Sequence, residues 1–358
     1  MTAPRTATGP IGHPEGHADG HADGHDEHAA RREEYLDRLA ASDEEGAVEV
    51  ALAALDAGLD VETVLLDVVA GAQREVGERW AAGEWTVVQE HIATHISERV
   101  VSAVSRHRPA GRPSGIGRIA VACLDGEWHA LPARLLAEVL ARHGWDVTFL
   151  GSSVPAAQLA VHLHETGPDV VAVSSSLPSR LPAARRVVEA CRASGIPILA
   201  GGPAFGPEGE WAAAVGADGW APDARAAAAV LADTLPRRDD GRVDDASREE
   251  QSLLQTRRPE LVAGLAARVG RGQDPDDQLT DDLGHLVDFL AAAVYVDDPG
   301  LLARFLRWVG TVVVPGGLTR EELRPAVDGL AERLADSPRT VALLRSEPVQ
   351  EACGTGAG

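Results

Sequence analysis

The sequence predicts a doubly wound parallel α/β domain set between two all-helical segments. Three observations predict it. Short apolar runs alternate with amphipathic stretches from residue 119 to 235. Helical periodicity with short connections fills 29–108 and again 250–346. Stretches rich in Pro, Gly or charge separate these regions at 109–118 and 236–249. Alternation of strand and helix specifies a parallel sheet covered on both faces, whereas consecutive short-linked helices specify bundles.

The chain of 358 residues suits two or three domains, and 44% hydrophobic residues supply their cores. Residues 1–28 hold little but Gly, Pro, Asp, Ala and five histidines, His13, His17, His21, His25 and His28. Such a segment cannot build a core and is expected to be disordered, a solvated tail more often than a metal-binding tract.

Within 29–108 the periodicity predicts helices at 29–41, 44–57, 60–82 and 86–107. Asp43 with Glu44 and Glu45, and Asp60 with Glu62, supply caps and first-turn acids, and Gly58 and Gly83 end helices. From 119 the predicted strands are 119–124, 146–151, 170–175, 197–202 and 218–221. Helices between and after them fall at 131–143, 155–166, 180–194, 207–215 and 223–235. Five such strands suit the flavodoxin-like (Rossmann-type) order 2-1-3-4-5. The last region reads as helices at 250–270, 278–296, 299–314, 319–335 and 338–345, ahead of a loose tail ending in Gly-Thr-Gly-Ala-Gly.

Bulk properties exclude several classes. No run approaches the roughly 20 apolar residues of a membrane span, and no secretory signal is visible. Only Cys123, Cys191 and Cys353 occur, far apart, which fits a reducing cytoplasm. A net charge of -22 without a basic patch argues against direct DNA binding.

The chemistry concentrates where strands end. Gly126-Glu127-Trp128-His129-Ala130-Leu131-Pro132 follows the apolar run 119–124 directly. An imidazole there stands at the carboxyl edge of the sheet, where open α/β folds bind ligands. Imidazole ligates transition metals, and a carboxylate two residues earlier can hold its other nitrogen. Ser175-Ser176-Leu177 ends the third strand and Gly201-Gly202 the fourth, on the same edge. Taken alone, His129 reads better as an incidental loop histidine of a generic doubly wound domain.

With its neighbours, the pattern resembles the Asp/Glu-x-His-x-x-Gly, Ser-x-Leu and Gly-Gly elements of cobalamin-binding domains. The resemblance implies that His129 ligates cobalt from below and that Glu127 orients it. It further implies that Ser175 hydrogen-bonds the base of the displaced nucleotide tail, and that Leu177, Gly201 and Gly202 leave a slot for that tail. Asp218-Gly219-Trp220-Ala221-Pro222-Asp223 is similar to the closing segment of such domains. One departure is Pro132, where the family has glycine; proline is tolerated in a first helical turn.

In the helical region before it, Trp80 is followed after nine residues by Glu90-His91. This resembles the Trp-x9-Glu-His motif of the CarH-like cobalamin-dependent photoreceptors, where it caps the upper corrin face. The resemblance implies adenosylcobalamin as cofactor and a light-cleaved cobalt–carbon bond. It implies a repacking read by a protein effector, in a homodimer or higher oligomer without catalysis. Ala81 stands where the best-known sensors carry a second cobalt-seizing histidine; His91 and His95 are the nearest substitutes. Residues 1–28 are expected to be too short and too polar to form the winged helix that precedes the bundle in the repressors of that family.

The C-terminal segment carries His285, Phe289, Tyr295, Arg304, Phe305, Arg307 and Trp308. A cobalamin core followed by helices resembles photocobilins, which add a linear tetrapyrrole such as biliverdin. Arg304 or Arg307 would then pair with propionates and His285 with a pyrrole. The alternative is that these aromatics pack a core and the helices dimerise. For the whole chain the alternative reading is a corrinoid protein carrying a methyl group for a methyltransferase system. A third is a redox or metal-responsive scaffold using the histidine tail.

Overall fold

A computed structural model describes residues 22–111, 115–233, 235, 243–269, 277–312 and 316–354. The expected disorder of 1–21, the linker positions 112–114 and 236–242 and the final four residues lie outside the described residues.

The first helix, α1 (Ala22–Ala40), begins earlier than expected and takes in residues 22–28. It packs with α2 (Glu44–Asp56) and α5 (Val87–His107), and with a continuous helical run between them. That run is α3 (Val61–Thr63), a π-helical turn (Val64–Val69) and α4 (Ala70–Ala81). The caps read from sequence form: Asp43 accepts from Gly46 N at 2.9 Å, Asp60 from Thr63 N at 2.9 Å. Thr86 and Gln89 close a capping box at the start of α5. Tyr35 and Ser97 share a buried hydrogen bond of 2.9 Å, and Gln73 Nε2 donates to Ser97 at 2.7 Å.

The π turn was expected to be plain helix. It widens the run where Leu66 packs on both the bundle core and the sheet-domain core. Beside it Asp67 receives a forked pair from Arg225, Nη1 at 3.0 Å and Nη2 at 2.6 Å. This turn is therefore a point at which the bundle is fastened to the α/β domain.

The α/β domain runs β1 (Arg118–Leu124), α6 (Ala130–Arg142), β2 (Asp146–Val154), α7 (Ala156–Thr166) and β3 (Val170–Ser174). It continues through α8 (Leu181–Ala193), β4 (Ile198–Gly201), α9 (Glu210–Val215), β5 (Gly219–Ala221) and α10 (Ala224–Val230). The sheet is parallel in the order β2-β1-β3-β4-β5, as the flavodoxin-like reading requires. β1 and β3 are almost wholly buried because helices cover both faces.

The C-terminal helices are α11 (Asp245–Val269), α12 (Asp277–Val296), α13 (Pro299–Val309), α14 (Arg320–Arg333), α15 (Pro338–Leu344) and α16 (Glu347–Gly354). Three expectations are corrected. Residues 245–249 belong to α11 rather than a linker. α13 stops at Val309 instead of 314. The expected loose tail contains α16, whose Val349 is fully buried. These helices share one hydrophobic core with the α7–α9 side of the sheet: Leu159, Leu181 and Trp211 lie in the same cluster as Leu283, Leu290 and Leu302. Trp211 Nε1 donates to Asp298 at 2.8 Å across that junction.

Candidate functional site

The site is built at the carboxyl edge of the sheet. Beyond β1 the chain turns at Gly126, whose φ of +76 is open to glycine without strain. Gly126 N donates to Ser153 Oγ at 3.0 Å and Ser153 N to the Glu127 carbonyl at 2.9 Å, so the end of β2 pins the loop. The Glu127 side chain is fully buried. Its Oε1 accepts from His129 N at 3.0 Å and pairs with His129 Nδ1 at 2.5 Å. Its Oε2 accepts from Ser175 Oγ at 2.9 Å and Ser176 N at 2.6 Å.

Burial alone would push the Glu127 pKa up. The hydrogen bonds from His129 and Ser176 outweigh it and bring the pKa down to about 2. The bond to Glu127 raises the His129 pKa; burial opposes it, Glu127 and Glu90 add charge attraction, and Arg180 pulls the other way. Because Nδ1 is committed to the carboxylate, Nε2 is the nitrogen that His129 offers, on a side chain 55% exposed. His129 also stands just ahead of α6, with Pro132 in its first turn, so the departure at 132 leaves the histidine loop intact.

Two of the expected residues also have a structural task. Ser175 Oγ donates to Glu127, so its first task is to anchor the carboxylate that orients the imidazole. Gly202, at φ +98, is required by strand packing: a Cβ there would fall 2.4 Å from the Ser175 carbonyl oxygen. A Cβ at Gly201 would stand 3.3 Å from the Ala221 carbonyl oxygen of β5, a tight fit. Leu177 is partly buried beside them.

Above the edge, Glu90 and His91 occupy the first turn of α5. His91 Nδ1 pairs with Glu90 Oε2 at 2.5 Å, and Thr94 Oγ1 donates to Glu90 Oε1 at 3.0 Å. The charge of Glu90 bears on His129, which ties the start of α5 to the histidine loop. Trp80 ends α4 and meets Trp308 of α13, ring centroids 6.1 Å apart. Among the described residues no hydrogen bond joins Trp80 to Glu90 or His91. Sequence reasoning missed the Trp80–Trp308 contact, Ser153 and Arg180, since none carries a local signal.

Large apolar side chains are exposed around this place. Val87, Val88 and Ile92 on α5, Trp128 beside the imidazole and Trp308 all face solvent, Trp128 at 74%. Such surface on a folded protein marks a binding site. Among the described residues no group of three or more His, Cys, Asp or Glu is gathered for a metal. A lone, carboxylate-oriented imidazole fits a metal whose remaining positions are filled by a macrocycle, as in cobalamin. The aromatics expected to receive a bilin are engaged otherwise: Phe289 and Phe305 stack at 4.0 Å. Arg304 pairs with Glu210 at 3.3 Å and lies 4.5 Å above the Trp211 ring. Arg307 and His285 are exposed.

Comparison with known proteins agrees with this geometry. Residues 117–229 match one family model described as a B12 binding domain, and residues 31–105 match a second of the same description. A corrinoid protein of Desulfitobacterium hafniense is 25% identical over 188 residues, covering 50% of this chain and 85% of the relative. The trimethylamine corrinoid protein of Methanosarcina barkeri is 27% identical over 184 residues, 49% of this chain and 83% of the relative. The HTH-type transcriptional repressor CarH of Myxococcus xanthus is 34% identical over 111 residues, 30% of this chain and 36% of the relative. Among the described residues no helix is long and apolar enough to cross a membrane.

Proposed function

We propose, on the premise that this chain belongs to the cobalamin-binding proteins through both its bundle and its sheet domain, that it is a non-enzymatic corrinoid protein acting on behalf of a protein partner. The observation that carries the reading is the Glu127–His129 pair, which leaves one imidazole nitrogen free at the sheet edge. His129 would hold the cobalt through Nε2, with Glu127 orienting the ring. Ser175, Leu177, Gly201 and Gly202 would accommodate the nucleotide tail. Bound cobalamin supplies a cobalt–carbon bond that can release a methyl group to an acceptor or break under visible light.

The first reading is a carrier of a methyl group for a methyltransferase partner. Its support is that corrinoid proteins, one named for trimethylamine, match across about half of this chain and most of their own length. A carrier must open its cap to that partner, and the bundle is fastened to the sheet domain partly by the half-exposed Arg225–Asp67 and Arg225–Glu62 pairs. Such pairs are weak enough to exchange.

A second reading, a light sensor holding adenosylcobalamin, is favoured by Trp80, Glu90 and His91 over the upper face and by the CarH match. Trp308, 6.1 Å from Trp80, would extend that cap. A bilin belongs to this reading only, with Arg307 and His285 as its remaining open contacts. The helix-turn-helix in the name of the CarH relative is not carried over, and the acidic charge of this chain argues for a protein partner.

One experiment tests all of this. The protein is loaded in the dark with methylcobalamin, adenosylcobalamin or hydroxocobalamin, then illuminated, with absorbance and elution volume recorded. A carrier loads the methyl and hydroxo forms comparably and keeps its elution volume in light. A sensor prefers the adenosyl form and changes elution volume on illumination. If no form gives a base-off, His-on spectrum, both readings fail. Absence of a red-shifted band on adding biliverdin removes the bilin.

A further inference from the structure

Arg180 ends the short 3-10 turn Pro178–Arg180 that follows β3, and this turn packs against α12. Its guanidinium lies on the backbone of Gly126, beside the histidine loop. A Cβ at Gly126 would stand 2.7 Å from Arg180 Nη1 and 2.9 Å from Cζ, which places the guanidinium directly against the histidine loop.

The guanidinium is unpaired among the described residues. Among the described residues it takes part in no side-chain hydrogen bond and no ion pair, and its Nε is buried without an acceptor. Arg142 carries buried Nε and Nη2 groups in the same condition, but at the far end of α6 from His129, whereas Arg180 stands at the histidine loop itself. Arg185, Arg225, Arg258 and Arg304 all have carboxylates. Glu127, next to Gly126, is already saturated by His129, Ser175 and Ser176. A buried donor left unbonded is costly, so an acceptor supplied by a ligand is the physical expectation.

The ligand chemistry follows from the charge. A corrinoid presents neutral amides around its ring and one anion, the phosphodiester that joins the nucleotide tail to the corrin. Arginine presents parallel N–H donors that match phosphate oxygens. The geometry points to Arg180 as the residue that receives this phosphodiester, on the lower-face side of the site. The inference rests on the cobalamin reading. It gives the chain a means of preferring complete cobalamins over corrinoids that lack the tail.

The test compares hydroxocobalamin with cobinamide, which has neither nucleotide nor phosphodiester, in the full-length protein and in Arg180→Gln and Arg180→Lys. Arg180→Gln is expected to weaken hydroxocobalamin about tenfold or more, as loss of a charge-assisted contact does, and to leave cobinamide within about twofold. Arg180→Lys should recover part of the loss. The single phosphorus of bound cobalamin gives a second readout: its 31P resonance should move toward the free position in Arg180→Gln. Equal weakening of both corrinoids, no weakening of either, or an unmoved 31P resonance overturns the assignment. Intact circular dichroism in the variants excludes misfolding. Failure of the unaltered protein to bind hydroxocobalamin at all would instead sink the cobalamin reading, and this inference with it.

Discussion

Trp80, at the end of α4, and Trp308, in the last turn of α13, face one another with ring centroids 6.1 Å apart. Trp308 lies 6.2 Å from Phe305, which stacks on Phe289 at 4.0 Å. An aromatic row thus leads from the edge of the bundle into the core of the C-terminal helices. Trp308→Ala should loosen that row by about 1 kcal/mol, the usual worth of an aromatic pair, read as a shift in urea midpoint. If Trp308 also walls the upper face, the same change weakens adenosylcobalamin more than methylcobalamin. Equal affinities would place Trp308 outside the cofactor site.

His129→Ala should abolish the base-off, His-on absorbance while leaving the fold intact, since the ring is half exposed. Glu127→Gln keeps the shape and removes the charge that orients the ring. An outer partner of a metal-bound histidine is worth about 10- to 100-fold in affinity, so spectrophotometric titration of Glu127→Gln should show a loss of that size. An unaltered affinity would mean that the imidazole is oriented by something else.

Acidity acts on this pair in two directions. The folded pKa of Glu127, about 2 against an ordinary 4.5, makes the carboxylate stabilising above pH 4.5; the contribution is lost as pH falls through about 2. The raised pKa of His129 makes the pair stabilising below 6.5; that contribution is lost as pH rises through the raised value. Cobalt ligation needs Nε2 without its proton. Affinity should therefore climb with pH up to the raised pKa and level off beyond it. Glu127→Gln should level off at lower pH, and identical profiles for the two proteins would contradict the pairing.

Arg225→Ala removes the forked contact to Asp67 and the bond to Glu62, 3.0 Å away. The groups are partly exposed, so the expected loss is about 0.5–1 kcal/mol at low salt and less at high salt. Urea unfolding at two ionic strengths measures it. A salt-independent loss would show that packing of the π turn, rather than charge, holds the bundle there.

Gly202→Ala places a methyl group 2.4 Å from the Ser175 carbonyl at a backbone angle that disfavours it. Strain of this kind costs about 1–3 kcal/mol, so the apo protein should melt earlier before any ligand is added. Unchanged melting with impaired cobalamin binding would restore the purely ligand-based reason for this glycine.

Much of the fold was legible locally. Strand-helix alternation from 119 to 235 determined a parallel sheet, because side-chain periodicity and short connections restrict the possible topologies. Asp43, Asp60 and Thr86 marked their helices because capping is satisfied within a few residues. The Glu127-x-His129 spacing sufficed to predict their pairing, since two residues of loop bring those side chains together.

What tertiary structure decided involves partners remote in sequence. Nothing near Trp80 specifies Trp308, nothing near Asp67 specifies Arg225, and the shared core of α7–α9 with α11–α14 is a matter of which apolar faces meet. Arg180 shows the same principle at the site itself. Its type and position were readable, but that no carboxylate among the described residues reaches it, and that it lies against Gly126, follows only from the folded arrangement. Local pattern fixes which face of an element is apolar; the choice of neighbour is made by packing across the whole molecule.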